Sequence, residues 1–181
     1  MPSTKRSWSP TKHYHIINHA IRKDKLFKQE KDYLFFLSLI EKAHRKYPFE
    51  IFSYCLMSNH YHILIRSDHP IIPSVMHFIN MLYCRYYNRT YKMKGSLFQR
   101  KYVSKEVDNS RGTLHVSRYI HFNPVHANIV SNPESYKWSS SAYFSPSSQL
   151  PLPPYMNLSP VLNQFKGSVF EQKVKFKEWC M

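Results

Sequence analysis

The chain is poor in cysteine and in acid, and it has no long apolar run. Cys55, Cys84 and Cys180 are its only thiols and stand far apart. They make neither a disulfide framework nor a zinc ribbon, and a reducing cytosol is the expected setting. No stretch of eighteen apolar residues occurs, so no membrane-spanning helix is expected. Met1-Pro2-Ser3-Thr4-Lys5-Arg6 is basic but leads into no apolar segment, so no secretory signal is expected either. No internal repeat is found. Eleven Asp and Glu stand against 26 Lys and Arg, a net charge of +15. That exceeds what solubility needs and points to a polyanionic partner, with nucleic acid first and an anionic membrane surface second. With 181 residues, 43% hydrophobic and 16% aromatic, the chain can build one ordinary packed domain.

The alternation of His13-Tyr14-His15-Ile16-Ile17-Asn18-His19-Ala20 predicts a first strand. After the charged stretch Arg22-Lys23-Asp24-Lys25, apolar residues from Leu26 to Tyr47 recur at spacings of three and four, as in an amphipathic helix that Pro48 stops. Residues 49–57 and 60–66 read as two strands joined by a tight turn at Ser58-Asn59. A second helix is expected over residues 75–91, broken by Gly95, and a fourth strand over 98–107. Asp108, Asn109 and Ser110 suit the N-cap of a third helix, which Pro124 limits. Strand, helix, strand, strand, helix, strand is the order of an α+β, ferredoxin-like (split βαβ) antiparallel sheet with helices on one face. The expected domain covers residues 1–145. Residues 146–181, rich in Pro and Ser, read as an extended linker or wrapping tail ending in one short helix over 161–179.

Ser58-Asn59-His60-Tyr61-His62-Ile63-Leu64-Ile65 sets two histidines two apart in an apolar run. On a strand they leave the same face, and two neutral imidazoles form half of a divalent-metal site. The alternative is that they satisfy hydrogen bonds at a strand end. His13 and His15 make a second such pair, with weaker apolar flanks, and read as solvent-facing imidazoles at a strand start. In Arg118-Tyr119-Ile120-His121-Phe122-Asn123-Pro124, Tyr119 and Asn123 share one helix face. Val116 and Ile120 flank it, which turns that face inward. His60, His62 and Asn123 could then hold a cation while Tyr119 reaches a phosphate bound to it. Against this stands a buried core tyrosine, and fourteen tyrosines offer many candidates.

No acid falls between Asp68 and Glu106, a window that holds Arg85, Arg89, Lys92, Lys94, Arg100, Lys101 and Lys105. Tyr83, Tyr86, Tyr87, Tyr91, Phe98 and Tyr102 are interleaved with them. Cations neutralise phosphates and exposed rings stack on unpaired bases, so the pattern suits single-stranded or hairpin nucleic acid. The other reading is a solvated basic face with its tyrosines in the core.

Taken in order, Met57-Ser58-Asn59-His60-Tyr61-His62-Ile63-Leu64, Gly95-Ser96-Leu97-Phe98-Gln99-Arg100-Lys101-Tyr102, Arg118 to Val125 and Trp138-Ser139-Ser140 resemble the REP-associated tyrosine transposases. These belong to the IS200-like, single-tyrosine HUH endonuclease superfamily. The resemblance implies that His60 and His62 bind a catalytic divalent ion, Mg2+ or Mn2+, with Asn123 as third ligand. It puts the nucleophile on Tyr119. DNA contacts are expected at Arg85, Arg89, Lys92, Lys94, Gln99, Arg100, Lys101, Tyr102 and Arg118. The resemblance implies cleavage and rejoining of single-stranded DNA beside hairpins through a 5′-phosphotyrosine, by a monomer or homodimer beside the bacterial nucleoid. The chain departs from the pattern at Asn18-His19-Ala20, where an Asn-Arg-Gly-like turn is usual, at Arg100-Lys101, and at His126. Lysine cannot reproduce a bidentate guanidinium contact. Two other functions fit the same residues: a hairpin-binding regulator that does not cut, and a metal-dependent phosphodiesterase that uses water.

Overall fold

The computed structural model describes residues 8–21, 24–108 and 110–181. The expectations placed on residues 1–6, on Arg22 and Lys23 and on an Asn109 cap lie outside these. The chain runs β1 (His13–His19), α1 (Glu30–Lys46), β2 (Glu50–Met57), β3 (His60–Arg66), α2 (Ile72–Tyr91), β4 (Val103–Val107) and α3 (Ser110–His126). The strands lie in the order β2-β3-β1-β4, and every neighbouring pair is antiparallel. This is the split βαβ arrangement that the element order predicts. Short turns at Pro133–Ser135 and Ser140–Phe144 lead to α4 (Ser159–Leu162) and α5 (Val169–Cys180).

Because strand side chains alternate, the sheet has two different faces. On one, Ile16, Leu56, Tyr61 and Ile63 pack against Phe36 and Ile40 of α1 and Val75, Ile79 and Tyr83 of α2. On the other, Phe52, Cys55, Met57 and Leu64 pack beneath Leu114 and Ile120 of α3, with Val161 and Phe176 completing the layer. Each such side chain contributes about 1.5–3 kcal/mol by leaving water. The second face also carries the β3 histidines, so α3 is laid beside them by the core that it closes.

The C-terminal stretch runs along the open edge of β2. Leu56 donates its N–H to the Trp138 carbonyl, Tyr54 donates to Ser140 Oγ, Ile51 donates to the Tyr155 carbonyl, and Asn157 returns a bond to Ile51. An edge strand's unpaired amides are thereby satisfied and shielded from a second chain.

Several element ends differ from the sequence expectation. The first helix starts at Glu30, because the Asp32 carboxylate accepts the N–H groups of Lys28 and Gln29 at 2.8 and 2.9 Å and closes a capping box there. Leu26 and Phe27 are buried, but in the loop ahead of it. The second helix begins at Ile72, with Pro73 in its first turn, where a missing N–H costs no bond. The fourth strand is shorter than expected: Phe98 makes an isolated bridge to Ala20, and pairing resumes only at Val103. Pro124 does not end α3. It removes one donor near the C-terminus, and the final turn persists to His126. The single terminal helix is two, parted at Gly167, whose φ of +119° favours glycine, and restarted by Ser168 and Glu171, which cap each other.

Candidate active site

The antiparallel register sets His19 opposite His60 and Ile17 opposite His62. His60 and His62, two apart on β3, leave the same face as expected, with ring centroids 4.9 Å apart. The two β1 histidines join them. His19 stacks on His60 at 4.8 Å, and His15 Nε2 lies 2.9 Å from His62 Nδ1. The reading of His13 and His15 as solvent-facing is corrected here. His15 is buried and His13 is half-buried, with its Nδ1 at 2.6 Å from Thr113 Oγ1 on α3. The signal was the second His-x-His itself. It acquires meaning only once β1 is known to lie beside β3.

Tyr119 of α3 reaches this group. Its ring is 5.6 Å from that of His62 and 5.9 Å from that of His15, edge-on to both. Its face of α3 is not turned fully inward, however. Thr113, Leu114, Ser117, Ile120, His121 and Pro124 form the buried stripe, and Tyr119 sits at its margin with 47% of its surface exposed. That margin is where a ring can touch the imidazoles and still meet a ligand from solvent. Asn123 donates from Nδ2 to the Tyr119 carbonyl at 2.7 Å, and its side chain also lies in hydrogen-bonding range of His62.

The imidazoles are held neutral. Burial pushes His62 down to about 2, with His60, His15 and His19 as lesser causes. Burial likewise pushes His60 and His15 to about 4. Neutral rings offer lone pairs, as a metal ligand must. His60 Nδ1 is engaged by Asn59 Oδ1 at 2.6 Å and His62 Nδ1 by His15, while His62 Nε2 is buried and makes no hydrogen bond of good geometry. Among the described residues no three His, Cys, Asp or Glu side chains are grouped to hold a metal ion. The groups that could hold a divalent ion here are the His60 and His62 Nε2 atoms and the Asn123 amide oxygen. The orphaned nitrogen fits such a ligand set. Two imidazoles suit manganese or another transition ion at least as well as magnesium, which prefers oxygen.

The basic residues border three adjoining hollows. Arg85 and Arg89 lie exposed on α2 in a groove shared with Phe35 and Lys42 of α1. Lys92 caps the end of α2, and Lys94 borders a separate hollow with Lys25 and Lys28. Gln99, Arg100, Lys101 and Tyr102 line a third cavity with Trp8, Asn18 and Asn80. Of these, Arg100 acts by its charge on His19, while Lys105 of β4 acts on His15. Arg118 is turned away, donating from Nε to the Cys180 carbonyl at 2.8 Å and lying over Phe122. Four of the interleaved rings are hydrogen-bonded within the fold. Tyr83 and Tyr87 donate to the carbonyls of Leu26 and Lys25, and Tyr86 and Tyr91 both donate to buried Asp32.

The chain matches the family model described as "Transposase IS200 like" over residues 9–123, which spans the whole sheet and reaches Asn123. Among solved structures it is similar to a REP-associated tyrosine transposase bound to a REP hairpin. That similarity has a TM-score of 0.69 at 17% identity and covers 87% of this chain and 93% of that one. A chain assigned as a transposase in Deinococcus radiodurans R1 matches with a TM-score of 0.45 at 15% identity, over 66% of this chain and 95% of that one. No curated protein matches. Sheet order, helix placement and a family match over most of the chain agree: this protein belongs to the IS200-like transposase family.

Proposed function

We propose that this transposase cleaves and rejoins single-stranded DNA beside a hairpin, with Tyr119 as nucleophile and His60, His62 and Asn123 as ligands of a divalent ion. The observation that carries the reading is the meeting of Tyr119 with the imidazole group, 5.6 Å ring to ring, beside an unpartnered buried His62 Nε2. A divalent ion bound there supplies polarisation of the scissile phosphate. The Tyr119 oxygen attacks phosphorus and loses its proton. The P–O3′ bond breaks, the 3′ oxygen leaves as a hydroxyl, and the 5′-phosphate stays esterified to the tyrosine. Attack by a 3′-hydroxyl on that ester reverses the sequence and rejoins a strand. Arg100 and Lys105 flank the histidines and supply positive charge for the backbone. Tyr119 and both histidines come from one chain, which favours action in cis by a monomer.

The similar structure that holds a REP hairpin suggests the substrate to try. Incubated with a labelled hairpin oligonucleotide and manganese, the protein should give an adduct that survives denaturing electrophoresis. Tyr119→Phe should abolish the adduct and leave hairpin binding near normal. Cleavage without any adduct would instead mean that water attacks, and binding without cleavage would mean a regulator that does not cut.

A further inference from the structure

We propose that His15 is a positioning residue for His62: it fixes the tautomer that leaves His62 Nε2 bare for the cation. The proposal rests on the metal reading of His60 and His62 above. Two neutral imidazoles 2.9 Å apart, His15 Nε2 and His62 Nδ1, share one proton between them. If His15 supplied it, His62 would carry its own proton on Nε2, beside the Asn123 side chain, and would have no lone pair there to offer a cation. If His62 supplies it, Nε2 is a lone pair aimed into the site, and His15 keeps its proton on Nδ1. Only the second arrangement leaves His62 a lone pair on Nε2 for a cation.

The neighbouring ligand repeats the logic with a different acceptor. His60 Nδ1 lies 2.6 Å from the Asn59 amide oxygen, which can only accept, so His60 Nε2 is bare too. An amide on the β2–β3 turn and an imidazole on β1 thus do one job for the two ligands. Partners of this kind orient a ligating ring and raise its basicity, and their loss typically costs metal affinity rather than fold.

The test is manganese binding by the DNA-free protein, followed by electron paramagnetic resonance. His15→Phe keeps a ring and removes the acceptor; His15→Gln can offer an amide oxygen near the lost nitrogen. The expected result is affinity weakened roughly 10- to 100-fold by His15→Phe, and largely restored in His15→Gln. A His15→Phe protein that binds manganese like the unaltered one overturns the proposal while leaving the metal site standing. If the unaltered protein binds no manganese, or His62→Ala binds it undiminished, the metal reading itself fails and the proposal falls with it. Should His15→Phe not fold, nitrogen-15 spectra of the unaltered protein loaded with zinc decide. A proton on His15 Nδ1 supports the role, and a proton on His15 Nε2 overturns it.

Discussion

Asp32 shows how much one buried side chain can organise. It is fully buried and accepts four hydrogen bonds, two from backbone amides at the start of α1 and two from the Tyr86 and Tyr91 hydroxyls of α2. Removing it strands all four donors. Asp32→Ala is expected to cost about 3 kcal/mol or more, read as a lower urea midpoint, whereas Tyr86→Phe should cost about 1 kcal/mol. The α2 tyrosines were legible in the sequence as aromatic and basic-flanked, but not as partners of one carboxylate. A hydroxyl's partner lies 54 or 59 residues away, and no local pattern encodes it. His15 is the same case at the candidate active site. Its spacing from His13 was visible, while its place beside His62 depends on which strands are neighbours.

Among the elements, β3 was the plainest to read. Its histidines sit in a run of β-branched and aromatic residues with a two-residue turn before it, and its bounds fall where the pattern puts them. Ends set by caps were harder, because Gln29 is an unusual partner for Asp32 and Gly167 interrupts an otherwise helical apolar spacing. The C-terminal helix matters for the site through α3. Phe176 of α5 is buried against His121 and Phe144, and the Cys180 carbonyl at the helix end takes the Arg118 guanidinium one residue before Tyr119. Phe176→Ala should destabilise the fold by about 3–5 kcal/mol, measured by denaturant unfolding. A loss below 1 kcal/mol would mean that α5 is not integral to the second core.

For the molecule as a whole, two quantities follow from its charges. His121 is fully buried against Ser140 and pushed by desolvation to about 3. The native state therefore binds fewer protons than the unfolded chain, in which histidine titrates near 6.5. The stabilisation is present above that value and is lost as pH falls towards about 3. The slope is about 1.4 kcal/mol per pH unit for each such histidine. His121→Gln should remove that share, flattening the stability profile between about pH 6 and 4. On the proposed function, a net charge of +15 likewise requires hairpin affinity to fall with salt. Five phosphate contacts would give a log–log slope of about −3.5 on single strands, and a slope near zero would remove phosphate recognition from the account.

That DNA chemistry occurs where the two histidine-bearing strands meet α3 is tested most directly by mapping the covalent product. Protein trapped on a hairpin oligonucleotide in manganese is digested and the peptide carrying the nucleotide is sequenced by mass spectrometry. The modification should lie on Tyr119. A nucleotide on any other tyrosine, with Tyr119 unmodified, would contradict it.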